Sequence, residues 1–236
     1  MVWLLMMFAG WLAATVSGAA GFGGALLLLP VITYAVGAKA AVPILTVAQL
    51  LGNLSRAGFG GKEIQWWPVL LFSLGAVPVS VLGARLFVAL PAPLLTRGIG
   101  ILLLGLVAFR HTHWGKRPVP ALLLAPAGAV VGLLSALTGS VGPLGAAVFL
   151  SLGLPPTAYV ASEAVTASLM HLTKTVVYGR YALLSGQAWL VGLALGGALV
   201  LGSWSGRQLI QKLPERTFGR VVEVLLVVSA LTLIIR

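Results

Sequence analysis

Charge is scarce in this chain: Lys, Arg, Asp and Glu make up 8% of its 236 residues, against roughly 25% in a soluble domain. So few charges cannot cover a globular surface, which argues against a soluble enzyme or binding module. Cysteine is absent, which excludes disulfides, thiolate chemistry and cysteine-based metal sites and leaves the redox compartment open. Acidic residues are the scarcer sign, four against fifteen Lys and Arg, for a formal net charge of +11. A nucleic-acid binder gathers such cations on one face or along a stripe. Here Lys39, Lys62, Arg97, Arg110, Lys116, Arg117, Lys212 and Arg216 sit at the ends of apolar runs, as the positive-inside rule and anionic headgroups demand. Nucleic acid is therefore not an expected partner. Catalytic and nucleotide motifs are missing as well. Neither Gly23-Gly24 nor Gly60-Gly61-Lys62 has P-loop spacing, which argues against ATP drive within this chain. HExxH and GxSxG do not occur, so an intramembrane enzyme would have to rest on Ser140 and His171 alone. His111-x-His113 comes without a carboxylate and reads as a solvated linker, so no metal and no cofactor is expected.

What the chain has in quantity is apolar sequence. Hydrophobic residues make up 59% and mean hydropathy is +1.07. The runs Val119 to Val141 and Gly186 to Ser205 carry no charge and exceed the roughly 18 residues of a membrane span. Thirty glycines and thirteen prolines suit membrane helices, where neighbours re-satisfy freed backbone groups. Met1 to Val16 lacks the basic residue that precedes a signal peptide's apolar core, and is expected to be retained. The lipid bilayer is thus one partner, and the class is an all-α integral membrane protein.

Ten apolar segments follow one another: 2–16, 24–36, 40–57, 66–90, 93–110, 119–137, 143–154, 157–178, 186–210 and 217–236. The one strongly polar connector, Arg110 to Arg117, divides the chain into a first repeat (1–110), a linker (111–118) and a second repeat (119–236). Each repeat opens with a short apolar run, a Gly-rich break and another short run. The breaks are Ser17 to Gly24 and Ser135 to Pro143. Further on, Gly61-Lys62 corresponds to Gly179-Arg180, and Ala89-Leu90-Pro91 to Lys212-Leu213-Pro214. The runs beside each break reach about 20 Å at 1.5 Å per residue, short of the roughly 30 Å hydrocarbon core. Each pair reads as a re-entrant hairpin or as one broken span. Loop charges favour the hairpin, because Lys62, Arg110, Lys116, Arg117, Arg207, Lys212, Arg216 and Arg220 then share one side. An odd number of crossings per half makes the repeats inverted, with about eight to ten spanning or half-spanning helices. Interrupted segments in matching places point to a transporter's binding site, and open N–H groups at half-helix starts favour an anion. Close helix packing through small residues is the competing reading of the same glycines.

The motif Gly18-x-x-Gly21-x-Gly23-Gly24 with Leu29-Pro30 resembles the TauE/SafE sulfite-exporter family. The family pattern continues with a further glycine where this chain has Ala25, and the second copy reads Gly139-Ser140-Val141-Gly142-Pro143-Leu144-Gly145. The resemblance covers nearly the whole chain. It implies a small permease with duplicated halves in a bacterial inner membrane, moving a small sulfur-containing anion such as sulfite or a sulfonate.

Polar residues at membrane depth are costly and mark function. Thr46, Gln49, Asn53 and Arg56 fall within roughly an 80° arc of one helix. Glu163, Thr166, His171 and Lys174 stud the eighth segment. Glu163 and Lys174 lie about 16 Å apart along it, too far to pair. Aligning the halves sets Asn53 opposite His171 and Arg56 opposite Lys174. The expected anion site combines Gly21, Phe22, Gly23 and Gly24 with Thr138, Gly139, Ser140 and Gly142, flanked by Gln49, Asn53, Arg56, His171 and Lys174. The competing reading has Arg56 and Lys174 snorkelling to headgroups. Glu163, without an evident local partner, and His171 are the expected carriers of a coupling proton. Glu223 pairs locally with Arg220, and Glu63 adjoins Lys62. Trp66, Trp67 and Trp114 anchor at an interface. The expected activity is secondary transport, with an anion channel as alternative; homo-oligomerisation is left open.

Overall fold

A computed structural model describes residues 2–18, 24–111, 120–140 and 142–209, with isolated helical positions at 227, 231 and 234. Among the described residues every regular element is helical. The helices are α1 (Val2–Gly18), α2 (Ala25–Val36), α3 (Ala38–Phe59), α4 (Trp66–Ala89), α5 (Ala92–His111), α6 (Leu124–Thr138), α7 (Gly142–Leu150), α8 (Pro156–Arg180) and α9 (Gly186–Leu209). They follow the first nine apolar segments closely. The sixth begins late, behind a 3-10 turn at Ala121–Leu123, and the seventh stops at Leu150 before a turn at 151–153. Residues 112–119 of the linker and nearly all of the tenth segment lie outside the described residues.

Burial is reversed relative to a water-soluble bundle. Leu74 and Leu190 are 68% and 70% exposed, while Glu163 and Lys174 are 2% and 0% exposed. Only a hydrocarbon surround makes both favourable. Trp66–Ala89, Ala121–Thr138 and Gly186–Gly206 are long and apolar enough to cross a membrane. The chain is a multi-pass membrane protein. α3 and α8 fall outside that apolar set because they carry polar residues, which packing buries: α3 packs on α2, α8 and α9, and α8 on α3, α4 and α7.

Glycines set the closest approaches. α4 lies along α6 in the same direction, with Gly75 against Ala125 and Gly83 against Leu133 and Ala136; a Cβ at Gly75 or Gly128 would overlap the carbonyl of Ala125 or Phe72. α1 lies along α9 in the same way, from Gly10 against Leu195 to Thr15 against Gly206. These are the small-residue contacts by which membrane helices pack. α3 and α8 run in opposite directions. Gly60 faces Thr157 and Ala161 at one end; at the other, Val42 lies against Gly139, which Lys174 also reaches.

Two apolar cores result, and they do not follow the order of the chain. One gathers α1, α2, α3, α5 and α9 with the C-terminal ends of α4, α6 and α8, and includes the Phe87–Tyr178 ring pair, centroids 5.3 Å apart. The other gathers α4, α6, α7 and α8 around Phe72 and Phe149, 5.4 Å apart. Each short-helix pair therefore packs with a long helix from the far half of the sequence.

Candidate anion-binding site

The helical repeat of α3 turns Thr46, Gln49, Asn53 and Arg56 to one side, and all four are buried. α8, running the other way, presents Glu163, Thr166, His171 and Lys174, also buried. Antiparallel packing brings the C-terminal part of α3 to the N-terminal part of α8. Arg56 Nη2 thus stands 3.5 Å from Glu163 Oε2, and Arg56 also donates to Asn53 Oδ1 one turn earlier. Glu163 has no evident partner along its own helix; the cation that faces it comes from α3, which spacing along one helix cannot reveal.

The snorkelling reading is corrected. Arg56 is 5% exposed and Lys174 fully buried, so neither head reaches a headgroup. Their surroundings differ. Lys174 Nζ donates to Ser135 Oγ (2.8 Å), Ser135 O (3.2 Å) and Gly139 O (2.9 Å), and an ammonium has only three protons to give. Tyr178 Oη, one turn further along α8, donates to Ala136 O at 2.6 Å. Together they satisfy carbonyls that the end of α6 leaves without intrahelical partners. Lys174 acts here as a cap on the second Gly-rich break. Ser135 and Tyr178 are absent from the expected site; the i,i+4 spacing of Lys174 and Tyr178 on one helix face is the signal that could have found Tyr178, whereas Ser135 lies on another helix.

The break itself turns on Gly139, at φ +88, a conformation that side chains with a Cβ rarely adopt. Thr138 Oγ1 donates to Leu134 O at 2.8 Å, and Thr138 and Ser140 are buried. Beyond it, Gly145 in the first turn of α7 packs on Glu163: a Cβ there would sit 3.2 Å from Glu163 Oε1. Glu163 therefore joins Arg56 to the start of α7, where amide N–H groups favour negative charge. Gly142 begins that helix. In the first break, Gly24 is buried at φ 68 ahead of α2, and Gly21, Phe22 and Gly23 lie outside the described residues. His171 Nδ1 is buried without a hydrogen-bond partner among the described residues.

Chemically, the interior offers a guanidinium, a carboxylate that neutralises it, and a half-helix start beside them. Such a constellation suits one small anion and one proton. No curated protein and no solved structure matches the chain. The sequence profile of the family described as Sulfite exporter TauE/SafE matches residues 6–233, a span that contains both breaks and the polar faces of α3 and α8. A polar, charge-paired interior inside an apolar multi-pass bundle, together with that match, establishes that the chain belongs to the sulfite exporter TauE/SafE family of membrane transporters.

Proposed function

We propose that the protein is a secondary transporter of a small sulfur-containing oxyanion, sulfite or a sulfonate, in a bacterial inner membrane. The observation that carries this reading is the buried Arg56–Glu163 pair against the first turn of α7. Removing one member of such a pair without compensation costs about 3–5 kcal/mol. A substrate anion can take the carboxylate's place on Arg56 if Glu163 accepts a proton at the same time. The interior then keeps one positive and one negative charge throughout, and anion and proton move together. Gln49 and Asn53 flank the anion on α3, and the starts of α2 and α7 offer it amide groups. His171 is a second proton acceptor. Ser140 and Thr138 shape the break, and Lys174 holds it.

Alternating access would come from rocking one body against another. The bodies are α1–α3 with α9 and α6–α8 with α4, each held by a close glycine contact, α1 on α9 and α4 on α6. The opposite directions of α3 and α8 support inverted halves, and the short α2 and α7 support hairpins that enter and leave on one side. The test is sulfite uptake into proteoliposomes with an imposed pH gradient. The wild type is expected to show gradient-dependent, saturable uptake and counterflow. Glu163→Gln should keep counterflow while losing its response to the gradient. Arg56→Gln should weaken apparent affinity about 10- to 100-fold, the worth of a charge-assisted hydrogen bond. Single-channel currents in place of counterflow would mean a channel. Unchanged affinity in Arg56→Gln would remove the site.

A further inference from the structure

On the outer face, between α4 and α8, lies a groove of about 500 Å³, away from the Arg56–Glu163 pair. Its wall is mostly apolar, formed by Val81 from α4 and by Leu172, Val176 and Val177 from α8, with Thr173 among them. Leu172 and Val176 are about half exposed, so the groove opens outward, and around a membrane-spanning chain the medium there is lipid. Arg85, Arg180 and Tyr181 line it as well. α4 and α8 run in parallel, since Gln65 at the start of α4 donates to Ser162 near the start of α8. Arg85, one turn before the end of α4, and Arg180, the last residue of α8, therefore stand at the same level. Both are exposed, and among the described residues neither has a carboxylate within ion-pair distance. The groove thus joins an apolar slot to two uncompensated cations and a half-exposed tyrosine, a residue suited to the headgroup level.

We propose that this groove is a binding site for an anionic phospholipid. The phosphate would lie between the Arg85 and Arg180 guanidiniums, with the Tyr181 hydroxyl beside it, and an acyl chain would run along Val81, Leu172 and Val176. Basic pockets between membrane helices hold anionic headgroups in this way. A zwitterionic lipid fits the slot but leaves the second cation without a counter-charge. The site bridges the C-terminal ends of α4 and α8, where Val81 and Val177 pack on the first core, so an occupied groove clamps the two helices together at that end.

The experiment is native mass spectrometry of the delipidated protein titrated with phosphatidylglycerol or phosphatidylcholine, paired with melting in nanodiscs of each lipid. The wild type is expected to prefer phosphatidylglycerol by roughly ten- to thirtyfold, the effect of two cations near a headgroup, and to melt at a higher temperature in it. Arg85→Gln/Arg180→Gln should bind the two lipids equally, while Arg56→Gln keeps the preference. Equal affinity in the wild type, or a preference that survives the double substitution, overturns the proposal. Displacement of bound phosphatidylglycerol by millimolar inorganic phosphate or sulfite would overturn it in favour of a solute site. Because the preference is read in the wild type, it does not depend on how well the variants fold, and it stands or falls apart from sulfite transport.

Discussion

Arg56 and Lys174 fall opposite one another when Gly61-Lys62 is aligned with Gly179-Arg180, yet their surroundings differ. Lys174 spends its three donors on Ser135 and Gly139, whereas Arg56 faces the Glu163 carboxylate. Lys174→Met should therefore lower stability by a few kcal/mol, since each stranded buried acceptor costs about 1–3 kcal/mol. Its remaining folded fraction should bind sulfite with unchanged affinity. Chemical denaturation in detergent, alongside a sulfite thermal-shift titration, separates the two effects. Tyr178→Phe removes one hydrogen bond to the same helix end and should cost about 1 kcal/mol. Arg56→Gln leaves Glu163 buried without a partner, and adding Glu163→Gln should recover much of the lost stability without restoring binding. A double-mutant cycle on melting temperature reads that recovery; additive losses would show that the two side chains do not interact. The polar faces of α3 and α8 were legible from spacing alone, because a 3.6-residue period is local. Whether a given cation caps a helix or faces a carboxylate was not, because the partner lies on another helix.

Among the helices, the glycines divide by what faces them. Gly128 in α6 has the Phe72 carbonyl where its Cβ would be, and Gly75 in α4 has that of Ala125, so the two helices meet backbone to backbone. Gly128→Val should destabilise by about 1–3 kcal/mol through overpacking and lower the melting temperature. Gly98 in α5 has open space around it, and Gly98→Ala should leave the melting temperature unchanged or slightly higher, as Ala is the better helix former. A large loss at Gly98 would mean that α5 packs more closely than it does here. The sequence leaves these two uses of glycine indistinguishable, since both fall in apolar helical runs. The breaks are better marked: Gly24 and Gly139 take positive φ next to the short helices, as the clustering of Gly and Pro suggests. α2 and α7, at 12 and 9 residues, are too short to span, which the distance between breaker clusters already implied.

For the molecule as a whole, the direction of each helix can be read chemically because the chain has no native cysteine. Single cysteines at Leu90 and Ser185 should react with a membrane-impermeant thiol reagent from one side, and those at Gly61 and Leu154 from the other. Labelling of Gly61→Cys and Ser185→Cys from the same side would contradict the opposed directions of α3 and α8. Membrane residence and the places where the described helices begin and break were set along the chain itself, because hydrophobic runs and Gly/Pro punctuation act over a turn or two of helix. The match of the first nine apolar segments to nine helices follows from that locality. The grouping of α9 with the first short pair and α4 with the second, the closing of Arg56 on Glu163 and the commitment of Lys174 to the end of α6 arose only on packing. They depend on which helices lie side by side and in which direction, and backbone contact at a few glycines selects that arrangement, not the apolar pattern that every segment shares.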